Sequence, residues 1–230
     1  MLWTISARRL FAWHLLLILA LAVANVVTAL ADGAGEPSQF FRMAFESNLP
    51  TFCATLALLA TALVAWRLAT TPNLAADESR AWMVFAALFS FMTLDEAAQV
   101  HEKLNSFGDR TAGMFSSIGV FPYALVALTL GVWLFRFWLR QKPLVRLGLA
   151  SGGLIYVFSA VGLEMVQNAE RAVGTSQSLP KMLALVTGEE TGEMIAVAIF
   201  LRTFLGRLAE LGERDIARIS LTPADASTAP

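Results

Sequence analysis

Seven acidic residues stand inside or beside long apolar runs of this 230-residue sequence, where carboxylates are rare. Asp95 and Glu96 begin the stretch LDEAAQVHE, which continues to His101 and Glu102; Glu164 is followed by Gln167 and Asn168; Glu189, Glu190 and Glu193 fall in TGEETGEM. An ionised group at the centre of a membrane helix costs about 2.5–3.5 kcal/mol on insertion scales, so each marks a functional site by default. The plausible neighbouring cations are Lys103, Arg171 and His101, too few to neutralise seven acids. The acids therefore carry protons or bind cations.

Oxygen donors with at most one imidazole suit iron, manganese, calcium or magnesium better than zinc or copper. The expected centre is thus a divalent metal, iron or manganese first and calcium or magnesium next. Asp95, Glu164, Glu189 and Glu193 are the expected core ligands or proton carriers. Glu96, His101, Glu102 and Glu190 complete or tune the site, with Gln99, Gln167 and Asn168 as hydrogen-bonding support behind them. A soluble-type di-iron bundle would use Glu-x-x-His pairs, which the chain lacks. His14 lies at the opposite end of its apolar run from the acids, which argues against a zinc hydrolase with several histidines. Ser90 is more than two helical turns from His101, so a Ser-His-Asp set is not favoured. The plain alternative is that protonated acids only hydrogen-bond the helices together.

The elements that would position these residues follow from composition. Hydrophobic residues make up 57% and charged residues 15%, with net charge -1 and a single Cys53. Nucleic-acid binding, a disulfide framework and a cysteine zinc cluster are thereby excluded. Six runs reach the length of about 20 residues needed to cross about 30 Å of hydrocarbon. They are Leu10–Ala31, Leu49–Ala69, Arg80–Leu104, Ile118–Leu139, Leu144–Asn168 and Lys181–Leu205. Outer-membrane strands would be about 10 residues of alternating polarity. The expected fold is therefore all-α, a polytopic bundle of six transmembrane helices over residues 1–205, followed by an amphipathic segment and tail over 206–230.

Lys and Arg gather on one side if the spans alternate from an inside N-terminus. That side receives 12 of the 17 basic residues, including Arg8, Arg9, Arg136, Arg140, Lys142 and Arg207. Both termini are therefore expected in the cytoplasm. The first run, with Arg8, Arg9 and Ala29-Leu30-Ala31, also resembles a secretory signal peptide, but it exceeds the usual 7–15 apolar residues and is read as a span.

At about 1.5 Å per residue from the basic end of each span, the acids of the third, fifth and sixth spans fall in one layer between midplane and the outer surface. At about 100° per residue, Asp95, Gln99 and Glu102 form one stripe, Glu164, Gln167 and Asn168 another, and the three glutamates of the sixth span a third. Gly188 and Gly192 beside them have the small-xxx-small spacing of a close helix approach.

The stretch FMTLDEAAQVHEKL resembles a pattern of uncharacterised bacterial multipass membrane proteins, Leu-Asp-Glu followed by His-Glu. The resemblance covers about a tenth of the chain and implies the bacterial inner membrane, without an activity. The expected function is a membrane-embedded cation site, serving a metal-dependent enzyme that takes an apolar lipid or quinone-like substrate. A proton- or cation-coupled transporter and a structural subunit are the alternatives. The expected partners are the lipid bilayer and that apolar substrate.

Overall fold

The computed structural model describes residues 6–31, 36–45, 47–100, 120–172 and 178–212, all in helices and their connections, with no strand among them. The helices are α1 (Ala7–Ala31), α2 (Glu36–Phe41), α3 (Leu49–Ala69), α4 (Ala76–Ala98), α5 (Val120–Arg140), α6 (Pro143–Val157), α7 (Glu164–Ala172) and α8 (Leu179–Glu210). A π-helical stretch, Phe158–Leu163, joins α6 to α7 without a break.

Among the described residues, four helical segments are long and apolar enough to cross a membrane: Ala7–Ala31, Leu49–Ala69, Ala76–Ala98 and Pro143–Gln167. Their outward faces carry large apolar side chains such as Trp13, Leu19, Leu63, Leu147 and Leu154, each more than half exposed. Patches of that kind are not tolerated on a water-facing monomer but suit lipid.

Local chemistry sets several boundaries. Asn48 caps α3 by accepting the Thr51 N–H at 3.0 Å, with Pro50 in the first turn where its missing donor costs nothing. Asn73, left-handed at φ 63°, turns the chain from α3 into α4, and Ser79 donates back to the Ala69 carbonyl at 2.6 Å. Lys142 and Pro143 turn α5 into α6.

Two expected spans differ in detail. The third is interrupted: α4 begins four residues earlier than Arg80 and ends at Ala98, where Gln99 adopts the left-handed conformation (φ 57°) that closes a helix, and the expected continuation from His101 to Leu104 lies outside the described residues. The fifth span is not a uniform α-helix, because the hydrogen-bond register widens over Phe158–Leu163. The sixth continues as one helix through Gly206 to Glu210.

The long α8 is the centre of the bundle, packed against α1, α3, α6 and the π-helical stretch, while α3 pairs with α4. The α6–α8 seam is antiparallel and built from small residues. Gly148 faces Thr203, Gly152 faces the Phe200 ring, Gly192 faces Ser159 and Gly188 faces Leu163. A Cβ on Gly192 would lie 2.0 Å from the Ser159 hydroxyl oxygen, a close approach, whereas a Cβ on Gly188 would meet Leu163 at 3.7 Å, an ordinary contact.

Candidate functional site

One end of the bundle is basic. There the start of α4 and the ends of α5 and α8 exchange ion pairs: Arg140 with Asp77, Lys142 with Glu210 at 3.0 Å, and Arg207 with Glu78 at 2.8 Å. Phe11 of α1 reaches the same end, beneath the Arg202 guanidinium.

Above this end, aromatic rings fill the space between α4 and α8. Trp82, Phe85 and Phe89 stack along one face of α4 at helical spacing, against Phe200 and Phe204 of α8. The Trp82–Phe204 and Phe89–Phe200 centroids are 5.1 and 5.2 Å apart, within the favourable range for edge-to-face rings. Trp82, Phe89 and Phe204 are almost wholly buried.

Beyond the rings each face changes character. Glu96 follows Phe89 by seven residues on α4, and Glu193 precedes Phe200 by seven on α8. Two helical turns, about 10.5 Å, thus separate rings from acids on both helices. Tyr156 of α6 joins the two sides. Its phenol shares a side-chain hydrogen bond with Glu193, and Glu96 and Asp95 both act electrostatically on that phenol. A glutamate of α8 therefore bonds a tyrosine of α6, and two acids of α4 act on that tyrosine through their charge.

A second contact lies one turn away along α8. The buried Gln167 of α7 donates its amide to the Glu189 carboxylate, four residues before Glu193. Glu164 sits three residues before Gln167, in the first turn of α7, and therefore near the same face. The π-helical stretch lies between these contacts, immediately beyond Tyr156, and Ser159 within it abuts Gly192. Widened turns of this kind recur at functional sites.

The expected residues are only partly brought together. Glu193 bonds Tyr156, Asp95 and Glu96 act on the same phenol through their charge, and Gln167 reaches Glu189. Glu190 lies on the same side of α8 as Glu189 and Glu193. Gln99 leaves the Asp95 stripe where the helix ends and donates to the Ser47 hydroxyl at 3.3 Å. His101, Glu102 and the Asn168 side chain lie outside the described residues. Among the described residues, no three His, Cys, Asp or Glu side chains stand together as a metal shell would require.

Two residues escaped the reading of charge alone. Tyr156, one of two tyrosines in the chain, was visible as a polar group within an apolar run. Asn25 of α1 is 2% exposed, donates to the Thr187 hydroxyl at 2.8 Å and accepts the Met43 N–H at 3.1 Å. It ties α1 to α8 two residues before Glu189.

No curated protein and no solved structure matches the chain. A family model spans residues 6–208, which includes the described helices except the last two residues of α8. The chain therefore belongs to the family described as Domain of unknown function (DUF8692).

Proposed function

We propose that the chain is a multipass protein of the bacterial inner membrane, with six spans and both termini in the cytoplasm, that holds a cation in an oxygen-donor site near the outer face. The observation that carries this reading is the hydrogen bond between Glu193 and the Tyr156 phenol, with the charges of Glu96 and Asp95 acting on the same phenol, inside a bundle whose outer surface is apolar. Carboxyls that act on one another in such surroundings are stable when a proton or metal ion offsets their charge. Asp95, Glu96, Glu189 and Glu193 are the core of the site, Tyr156 and Gln167 orient it, and Glu164 and Glu190 extend it. His101, Glu102 and Asn168 would complete it from the outer side, and Gln99 would fix the end of α4. All these donors are hard oxygens apart from one imidazole, so the metals to test are iron and manganese, then calcium and magnesium.

The rings of Trp82, Phe85, Phe89, Phe200 and Phe204 favour a site that fills and empties from one side. They line the space between α4 and α8 on the side toward the basic end with apolar rings. A membrane enzyme that meets an apolar lipid or quinone-like substrate in the outer leaflet suits that closure better than a transporter.

The test is elemental analysis of detergent-purified protein, combined with thermal stability against added Mn²⁺, Fe²⁺, Ca²⁺ and Mg²⁺ and against pH. Wild type is compared with an E189Q/E193Q variant. Bound metal, or cation- or proton-dependent stabilisation, that is present in wild type and absent from the variant supports the site. A ligand at about 100 times its Kd adds about 2.7 kcal/mol, which is readily measured. Identical behaviour of the two proteins would overturn the reading and leave the acids as helix-joining groups.

A further inference from the structure

The basic end contains a cleft of about 390 Å³ between the start of α4, the end of α5 and the end of α8. Trp133 and Phe137 form its apolar side, and four cations, Arg136, Arg140, Lys142 and Arg207, surround it. Three acids answer them. Arg140 pairs with Asp77, Lys142 with Glu210, and Arg207 with both Glu78 and Glu210.

One cation and one donor atom remain. Arg136 is exposed and has no ion-pair partner among the described residues. The Nε–H of Arg207 is buried without a hydrogen-bond acceptor. A buried donor of this kind ordinarily has a partner, and a guanidinium's preferred partner is a carboxylate or phosphate oxygen. The cleft thus has an excess of one positive charge, at Arg136, and a second guanidinium in its lining, at Arg207, whose hydrogen bonds are incomplete.

The position of the cleft decides where that anion comes from. Trp133, Arg136, Phe137 and Arg140 occupy one stripe of α5, and the stripe continues away from the basic end through Trp133 to Val126, both exposed. A charged pocket opening directly onto an exposed apolar helix face matches a lipid, whose headgroup and acyl chain are joined in that order. Basic pockets between helices at the membrane surface bind headgroups through the same chemistry.

We propose that this cleft seats the phosphate of an anionic phospholipid, held by Arg136 and Arg207, with an acyl chain lying along Trp133 and Val126. The site is separate from the acid layer and does not depend on its role.

The experiment is native mass spectrometry of the full chain, counting phosphatidylglycerol and phosphatidylcholine retained by wild type, R136Q and R9Q. Arg136 and Arg9 are both exposed, so neither substitution disturbs packing, and Arg9 lies outside the cleft. The expected result is preferential retention of phosphatidylglycerol by wild type and R9Q, weakened at least tenfold in R136Q. Equal retention by all three proteins, or equal retention of the two lipids, would overturn the proposal. A parallel arm adds inorganic phosphate alone: displacement of phosphatidylglycerol at millimolar phosphate would assign the cleft to the free anion and overturn the lipid as its occupant.

Discussion

Replacing Gly192 by alanine is expected to pry α8 from the π-helical stretch and loosen the acid layer on either side. The added Cβ would lie 2.0 Å from Ser159 Oγ and 3.0 Å from Ser159 Cβ. Rotation of the serine hydroxyl relieves the first contact, but the second remains, and real Cβ atoms essentially never approach closer than that. Ser159 is 3% exposed, so the strain passes to the backbone of two packed helices. Overpacking of this size costs about 1–3 kcal/mol. At about 2–4 °C per kcal/mol for a chain of this length, the melting temperature should fall by about 2–12 °C. The assay is thermal unfolding in detergent, followed by a tryptophan signal. G153A is the control, because nothing lies within 4 Å of a Cβ at Gly153 on the same helix as the seam. S159G placed on G192A removes both opposing atoms and should restore most of the loss. A melting temperature for G192A equal to that of G153A would refute the close approach, and with it the packing that sets Tyr156 beside Glu193.

Further expectations concern the polar ties and the basic end. N25L should destabilise by about 1–3 kcal/mol, because it leaves the buried Met43 N–H and the Thr187 hydroxyl without Asn25. T187V, which spares the Met43 bond, should cost less, and the reverse order in thermal unfolding would contradict the assignment. Y156F keeps the ring packed against the core and removes only the hydroxyl that meets Glu193. It should leave the melting temperature near wild type while shifting cation affinity about 10–100-fold, as loss of an orienting partner does. At the basic end, the hydrogen bond and charge of Lys142, helped by Arg207, hold the Glu210 carboxyl below its ordinary value of 4.5. A depressed folded value means that this contact stabilises above the unfolded value and is lost as pH falls through the folded one. Wild type should therefore lose more stability than E210Q on acidification below about 4.3, and parallel curves would show that the pair contributes nothing.

The main helices were legible because length and apolarity are properties of the chain itself. Leu49–Ala69 was expected from its run of apolar residues between Asn48 and the Pro72-Asn73 turn, and α3 has those same ends. The acids stood out for the same reason: a carboxylate in an apolar run is costly wherever the helix lies. Tyr156 and Asn25 carry a weaker form of that signal, because an uncharged polar group costs less to bury than a carboxylate.

What the sequence determined by itself was therefore the all-helical, apolar character of the chain and the placing of acids within it. Tertiary structure decided which partners those acids meet. Apolar periodicity continues past Ala98 through Val100 to Leu104, yet α4 stops where Gln99 turns left-handed and reaches Ser47, a partner 52 residues away. The register of Phe158–Leu163 likewise widens beside α8, at the point where Ser159 meets Gly192. An apolar run reads alike in either register, and no spacing within one helix states which residue of another will face it. Contacts between distant segments brought Tyr156 to Glu193 and Gln167 to Glu189, and only the packed bundle contains them.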